Sequence, residues 1–168
     1  LPWQRWTSFG SYLDTLRETG ISINAVPLVG QGTVRKAVMG YSAEAATAEE
    51  IAEMQQWVAQ SMEEGAIGVS TGLIYPPGSY ASTEEIIAVV QPAGERHGYY
   101  FSHIRGEADT LLDAVAEAIR IGRETGAAVE IAHFKASGRQ NWDKSAKALA
   151  MIDEARAPAS GVVLYIRA

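Results

Sequence analysis

Strand-like and helix-like segments alternate along the whole of this 168-residue chain, and that order limits the fold more than any other feature. "ISINAVPLVG", "AIGVSTGLIY", "YYFSHIR", "AAVEIAHFKAS" and "GVVLYIRA" read as strands, near residues 22–29, 66–71, 99–104, 128–134 and 162–167. Between them lie helical patterns. "SFGSYLDTLRETG" carries Ser8 as N-cap, with Leu13 and Leu16 on one face. In "ATAEEIAEMQQWVAQSMEEGA", Thr47 and Glu50 make a capping box, and Ile51, Met54, Val58 and Met62 form an apolar stripe. "STEEIIAVV" repeats the box with Ser82 and Glu85, and Pro92 should stop or kink that helix. "TLLDAVAEAIRIGRETG" turns Leu112, Val115 and Ile119 inward and stops at Gly126. "WDKSAKALAMIDEAR" should end near Pro158.

Connections of this length between strands imply a parallel α/β sheet with helices packed on it, in one domain over residues 1–168. Two architectures remain. An open doubly wound sheet would be complete with five strands. A (β/α)8 barrel needs eight strands and about 250 residues, so these five would form only part of one.

Composition removes several function classes. The chain is 47% hydrophobic and 20% charged, with a net charge of −6. That is ordinary globular usage, with none of the basic clustering of a nucleic-acid binder. There is no cysteine, so disulfides and thiolate metal sites are excluded. No apolar run reaches bilayer-spanning length, and "LPWQRWTSFG" lacks a signal-peptide pattern. The expectation is a soluble, cytoplasmic protein with no nucleic-acid or membrane partner.

Chemistry-bearing residues collect at the strand ends. His103 ends the third strand and His133 the fourth, one βα repeat later. Equivalent positions on adjacent parallel strands, about 4.8 Å apart, would bring the imidazoles together. They would meet at the C-terminal ends of the strands, where α/β active sites form. One strand-end histidine is more often a hydrogen-bonded rim residue; two in one register leave that reading and a shared metal ion about evenly matched. Val129, Ile131, His133 and Lys135 alternate onto one face of an extended segment. The Lys135 ammonium beside a metal would suit a carboxylate, or would simply be solvated. Tyr75, in the rigid "GLIYPPGSYAS" loop, could offer its hydroxyl or pack. His97 precedes Gly98 in a loop and should be solvated. "VGQGTVR" lacks the third glycine of a dinucleotide loop and any GK[ST]; it reads as a tight turn, with Arg35 free for an anion or a carboxylate.

Four segments carry a resemblance: "LVGQGTVRKAVMG", "MEEGAIGVSTGLIYPPGSYASTEE", "SHIRGEADTLLDAVAEAI" and "IAHFKASGRQNW". Together they resemble the central part of the N-acyl-D-amino-acid deacylase (D-aminoacylase) family of the amidohydrolase superfamily. The resemblance implies a partial (β/α)8 TIM-type barrel holding strands 3 to 7. It implies zinc as cofactor, with His103 and His133 as metal ligands, and Tyr75 and Lys135 binding the carboxylate of an N-acyl-D-amino acid. The implied reaction is hydrolysis of that substrate to a carboxylate and a D-amino acid. The family's first-strand HxH pair and its catalytic aspartate would lie outside residues 1–168, and its metal-binding cysteine is absent. Gln31 stands where the family has histidine, and Gly106 where it has an acidic residue. "APASGVVLYIRA" lacks the expected Asp-x-Tyr-Pro-Tyr signature, as a truncated or frame-shifted reading frame would. Such a chain should form homo-oligomers through its open edges. Alternatives are a non-catalytic self-assembling fragment, and an amidohydrolase acting on an ester or a cyclic amide.

Overall fold

A computed structural model describes residues 6–157 and 162–166; Pro158 and Arg167, on which two of the sequence expectations rest, lie outside them. Six α-helices and five strands are described, with two short 3-10 helices beside them: α1 (Phe9–Thr19), β1 (Val29–Gly30), α2 (Gln31–Met39), α3 (Ala48–Glu63), β2 (Gly68–Gly72), α4 (Thr83–Gly94), β3 (Tyr99–His103), α5 (Leu111–Thr125), β4 (Ala128–Ile131), α6 (Lys144–Ala155) and β5 (Leu164–Ile166). The strands form one sheet in the order β1-β2-β3-β4-β5, every neighbouring pair parallel. A doubly wound sheet reverses direction partway through its strand order. This order never reverses, so the sheet is an arc of a (β/α) barrel.

The two faces of the arc differ. Val69, Tyr100, Val129 and Leu164 share one face through the strand register, and all are buried. This face carries the helices. Gly122 of α5 lies so close that a β-carbon there would come within 2.2 Å of Val129 Cγ2. Core residues from the helices, including Met54, Val58, Ile86, Val89, Val115 and Ile152, complete the cluster. Thr71, Tyr100 and Ser102 hydrogen-bond to one another inside it, at 3.0 to 3.2 Å. Burial pushes the Tyr100 phenol up to about 12, so it stays neutral. The opposite face carries Ser70, Phe101, His103, Glu130 and Tyr165, all partly or fully exposed.

Several local expectations change. Only Val29 and Gly30 of the first expected strand enter the ladder. "VGQGTVR" is not a turn: helix α2 starts at Gln31, directly after β1. Arg35 on that helix is fully buried. Its Nε donates to Glu85 Oε1 at 2.9 Å, and its Nη atoms donate to the carbonyls of Ser42 and Glu44. The capping box at Thr47 forms in both directions. At Ser82 only half of it forms, with Ser82 Oγ accepting from Glu85 N. The Glu85 carboxylate goes to Arg35 instead.

Pro92 does not stop α4, which continues to Gly94. A proline has no N–H for the carbonyl four residues earlier, here that of Ala88. Gln55 of α3 supplies the missing donor, its Nε2 lying 2.8 Å from Ala88 O. Among the described residues no helix is long and apolar enough to cross a membrane.

Candidate metal centre

His103 is the last residue of β3, on the open face of the arc, by alternation with the buried Ser102. His133 reaches it by a different route from simple alternation. In the ladder Ser102 pairs with Ile131, so His133 lies one position further along β4 than His103 does along β3. Val129 and Ile131 face the helices, and strict alternation would send His133 there too. Regular strand ends at Ile131, however, and His133 takes a left-handed backbone conformation with φ of +36°. Non-glycine residues seldom adopt it, and where they do it re-aims a side chain. The result is a distance of 2.6 Å between His103 Nδ1 and His133 Nε2.

A carboxylate completes the cluster. Glu107, in the loop after β3, places Oε1 at 2.9 Å from His133 Nδ1 and 2.5 Å from Lys135 Nζ. Lys135 Nζ also lies 2.9 Å from His133 Nδ1 and 3.1 Å from His133 O. The loops bearing these groups are joined by a hydrogen bond from Ser137 N to Glu107 O. The Tyr75 ring lies 5.5 Å from that of His103. Its loop is anchored by Arg105, which donates to the carbonyls of Ser79 and Ala81 and pairs with Glu117 of α5. The four expected site residues therefore converge at one end of the sheet. His97, as expected, is exposed.

The cluster suits a divalent cation. One candidate ligand atom from each of His103, Glu107 and His133 lies within 4.8 Å of the other two, and zinc takes nitrogen and oxygen donors of this kind. His103 Nε2 is buried with no hydrogen-bond partner, and Nδ1 meets only the other imidazole. Nitrogens sharing one tetrahedral ion stand about 3.3 Å apart, so the rings would need to separate by about 0.7 Å. Burial, foremost, holds the His103 imidazole below its ordinary range, with Glu107 pulling the other way. The neutral form, which can ligate, is thereby favoured.

Glu107 is the site residue that sequence reasoning missed. It sits four residues after His103 in a loop, where no periodicity fixes direction. At Gly106 a β-carbon would come within 2.0 Å of Thr110 Oγ1, so an acidic side chain there would require Thr110 to move. Gln31 is fully buried, and neither end of its amide has a hydrogen-bond partner.

No family model matches the chain. Three curated proteins of Alcaligenes xylosoxydans xylosoxydans do. A D-aminoacylase is 44% identical over 153 residues, covering 91% of this chain and 32% of the relative. An N-acyl-D-aspartate deacylase is 44% identical over 154 residues, covering 91% and 31%. An N-acyl-D-glutamate deacylase is 39% identical over 155 residues, covering 92% and 32%. Among solved structures, a D-aminoacylase superposes with a TM-score of 0.91 at 40% identity, over 98% of this chain and 34% of that one. An N-acyl-D-glutamate deacylase from Bordetella bronchiseptica, complexed with zinc and a phosphonate inhibitor, superposes with a TM-score of 0.90 at 39% identity, over 95% and 33%. The chain thus spans about a third of the length of the relatives it matches.

Proposed function

We propose that this chain, a homologue of the N-acyl-D-amino-acid deacylases across 91% of its own length, supplies two metal ligands and a substrate-carboxylate site for zinc-dependent hydrolysis of N-acyl-D-amino acids. The observation that carries the reading is the meeting of His103 Nδ1 and His133 Nε2, with Lys135 beside them. His103 and His133 would hold the ion, with the two imidazole nitrogens that face each other as its donors. When bound, zinc polarises the scissile amide carbonyl and activates water. The Lys135 ammonium and the Tyr75 hydroxyl bind the substrate carboxylate and so fix the amide relative to the imidazoles. Catalytic zinc usually has three protein ligands and an open position. With Glu107 engaged at His133 Nδ1, the nitrogen turned away from His103, a further ligand would join the two imidazoles, and by the family resemblance so would the proton-shuttling acid.

The test is a graft. Placed in the matching third of a D-aminoacylase, this chain should support zinc-dependent release of acetate from N-acetyl-D-amino acids, with esters and cyclic amides turned over far more slowly. A folded, zinc-loaded graft without deacylase activity would refute the reading. The 168-residue polypeptide made by itself should show no turnover; clear activity would mean that it already holds the acid group.

Self-association of that polypeptide is part of the same proposal. Exposed apolar side chains lie in the segment before the edge strand β1, at Ile21, Ile23 and Val26, and in and beside the edge strand β5, at Val163, Tyr165 and Ile166. Unpaired strand edges flanked by apolar groups favour pairing with a second copy. Light scattering at micromolar concentration should report a dimer or larger; a stable monomer would count against it.

A further inference from the structure

We propose that Glu107 is the positioning carboxylate of this site, setting the tautomer of His133 and the direction of Lys135. The proposal rests on the reading that His103 and His133 hold a metal. For His133 Nε2 to offer a lone pair, the proton of the neutral ring must sit on Nδ1. Two groups stand 2.9 Å from Nδ1, Glu107 Oε1 and Lys135 Nζ. Only the carboxylate can accept that proton's hydrogen bond; the ammonium can only donate. Glu107 is the less exposed of the two, at 16% against 48%, and its backbone carbonyl is tied to the loop after β4. It is therefore the fixed member of the pair.

The same tautomer determines what Lys135 can do. An ammonium has three hydrogens. One goes to Glu107 Oε1 and one to His133 O. With Nδ1 protonated, the third has no acceptor on the imidazole and remains free for a substrate carboxylate. With Nδ1 bare, Lys135 would donate to it, and Nε2–H would point at His103 and block the ion. One carboxylate thus keeps the metal-facing nitrogen bare and the ammonium available. Carboxylate partners of ligating histidines commonly act in this way.

The experiment uses the metal-free 168-residue chain labelled with 15N-histidine, with resonances assigned by single histidine variants. His133 should show a protonated Nδ1 and a bare Nε2. Glu107→Ala should move the ring toward the Nε2–H form. Glu107→Gln, which keeps an oxygen acceptor, should restore the parent tautomer, and Lys135→Met should leave it unchanged. Zinc affinity should fall about 10- to 100-fold in Glu107→Ala and much less in Glu107→Gln. An unchanged tautomer in folded Glu107→Ala would overturn the proposal, as would a shift in Lys135→Met. Equal zinc losses in the Ala and Gln variants with no tautomer change would make Glu107 a direct ligand instead. A parent chain with the expected tautomer and no zinc uptake would sink the metal reading and leave the positioning role standing.

Discussion

Arg35→Ala is expected to lower the unfolding free energy by about 3–5 kcal/mol, the usual loss when one partner of a buried ion pair is removed. Against a typical total of about 5–15 kcal/mol, that brings the chain close to unfolding at room temperature. The guanidinium is fully buried and joins α2, the segment at Ser42 and Glu44, and α4. Its removal strands the Glu85 carboxylate, which is 5% exposed, and leaves two backbone carbonyls without their donor. Urea unfolding followed by circular dichroism would measure the loss. The pair does not have to be stabilising as a pair, because desolvation offsets much of its attraction. Arg35→Met combined with Glu85→Gln should therefore recover the part of the deficit caused by the stranded charge, but not the part left by the two carbonyls. A single-variant loss below about 1 kcal/mol would mean that the pair is solvated, as exposed ion pairs are.

Arg35 also marks where the sequence stops being readable. Gly30 and Gly32 look like turn punctuation, so helix α2 was hidden, and a polar stretch gives no sign that its arginine is buried. The reason lies fifty residues away, at Glu85 on another helix. Pro92 is similar, because Gln55 on a neighbouring helix replaces the lost donor. Strand order and helix stripes, by contrast, follow from local periodicity and βαβ connection rules, and they were legible. At the site, the pairing of His103 with His133 followed from the repeat. Its geometry did not, since alternation sends His133 to the helix face and only its left-handed backbone turns it back. Glu107 left no periodic signal at all.

Zinc binding should separate the roles of His103, His133 and Lys135 by rank. The 168-residue chain has two facing imidazoles and should bind zinc weakly, because zinc normally takes more protein ligands than two. His103→Ala or His133→Ala removes a donor outright, so each should cost more than the 10- to 100-fold typical of losing an outer partner. The double variant should take up no zinc above background. Lys135→Ala should leave zinc affinity within about twofold of the parent: its ammonium cannot ligate, and Glu107 still holds His133 Nδ1. In an active graft the same change should raise KM for N-acetyl-D-amino acids, since a carboxylate loses its counter-charge. Titration calorimetry and metal analysis after dialysis give the ranking without any turnover. Equal uptake by the parent and the double variant would show that these imidazoles bind no metal, and their close approach would then be only a hydrogen bond between strand ends. A loss in Lys135→Ala as large as in His133→Ala would instead mean that the ammonium holds His133 in place, and the substrate-carboxylate role would pass to Tyr75 alone.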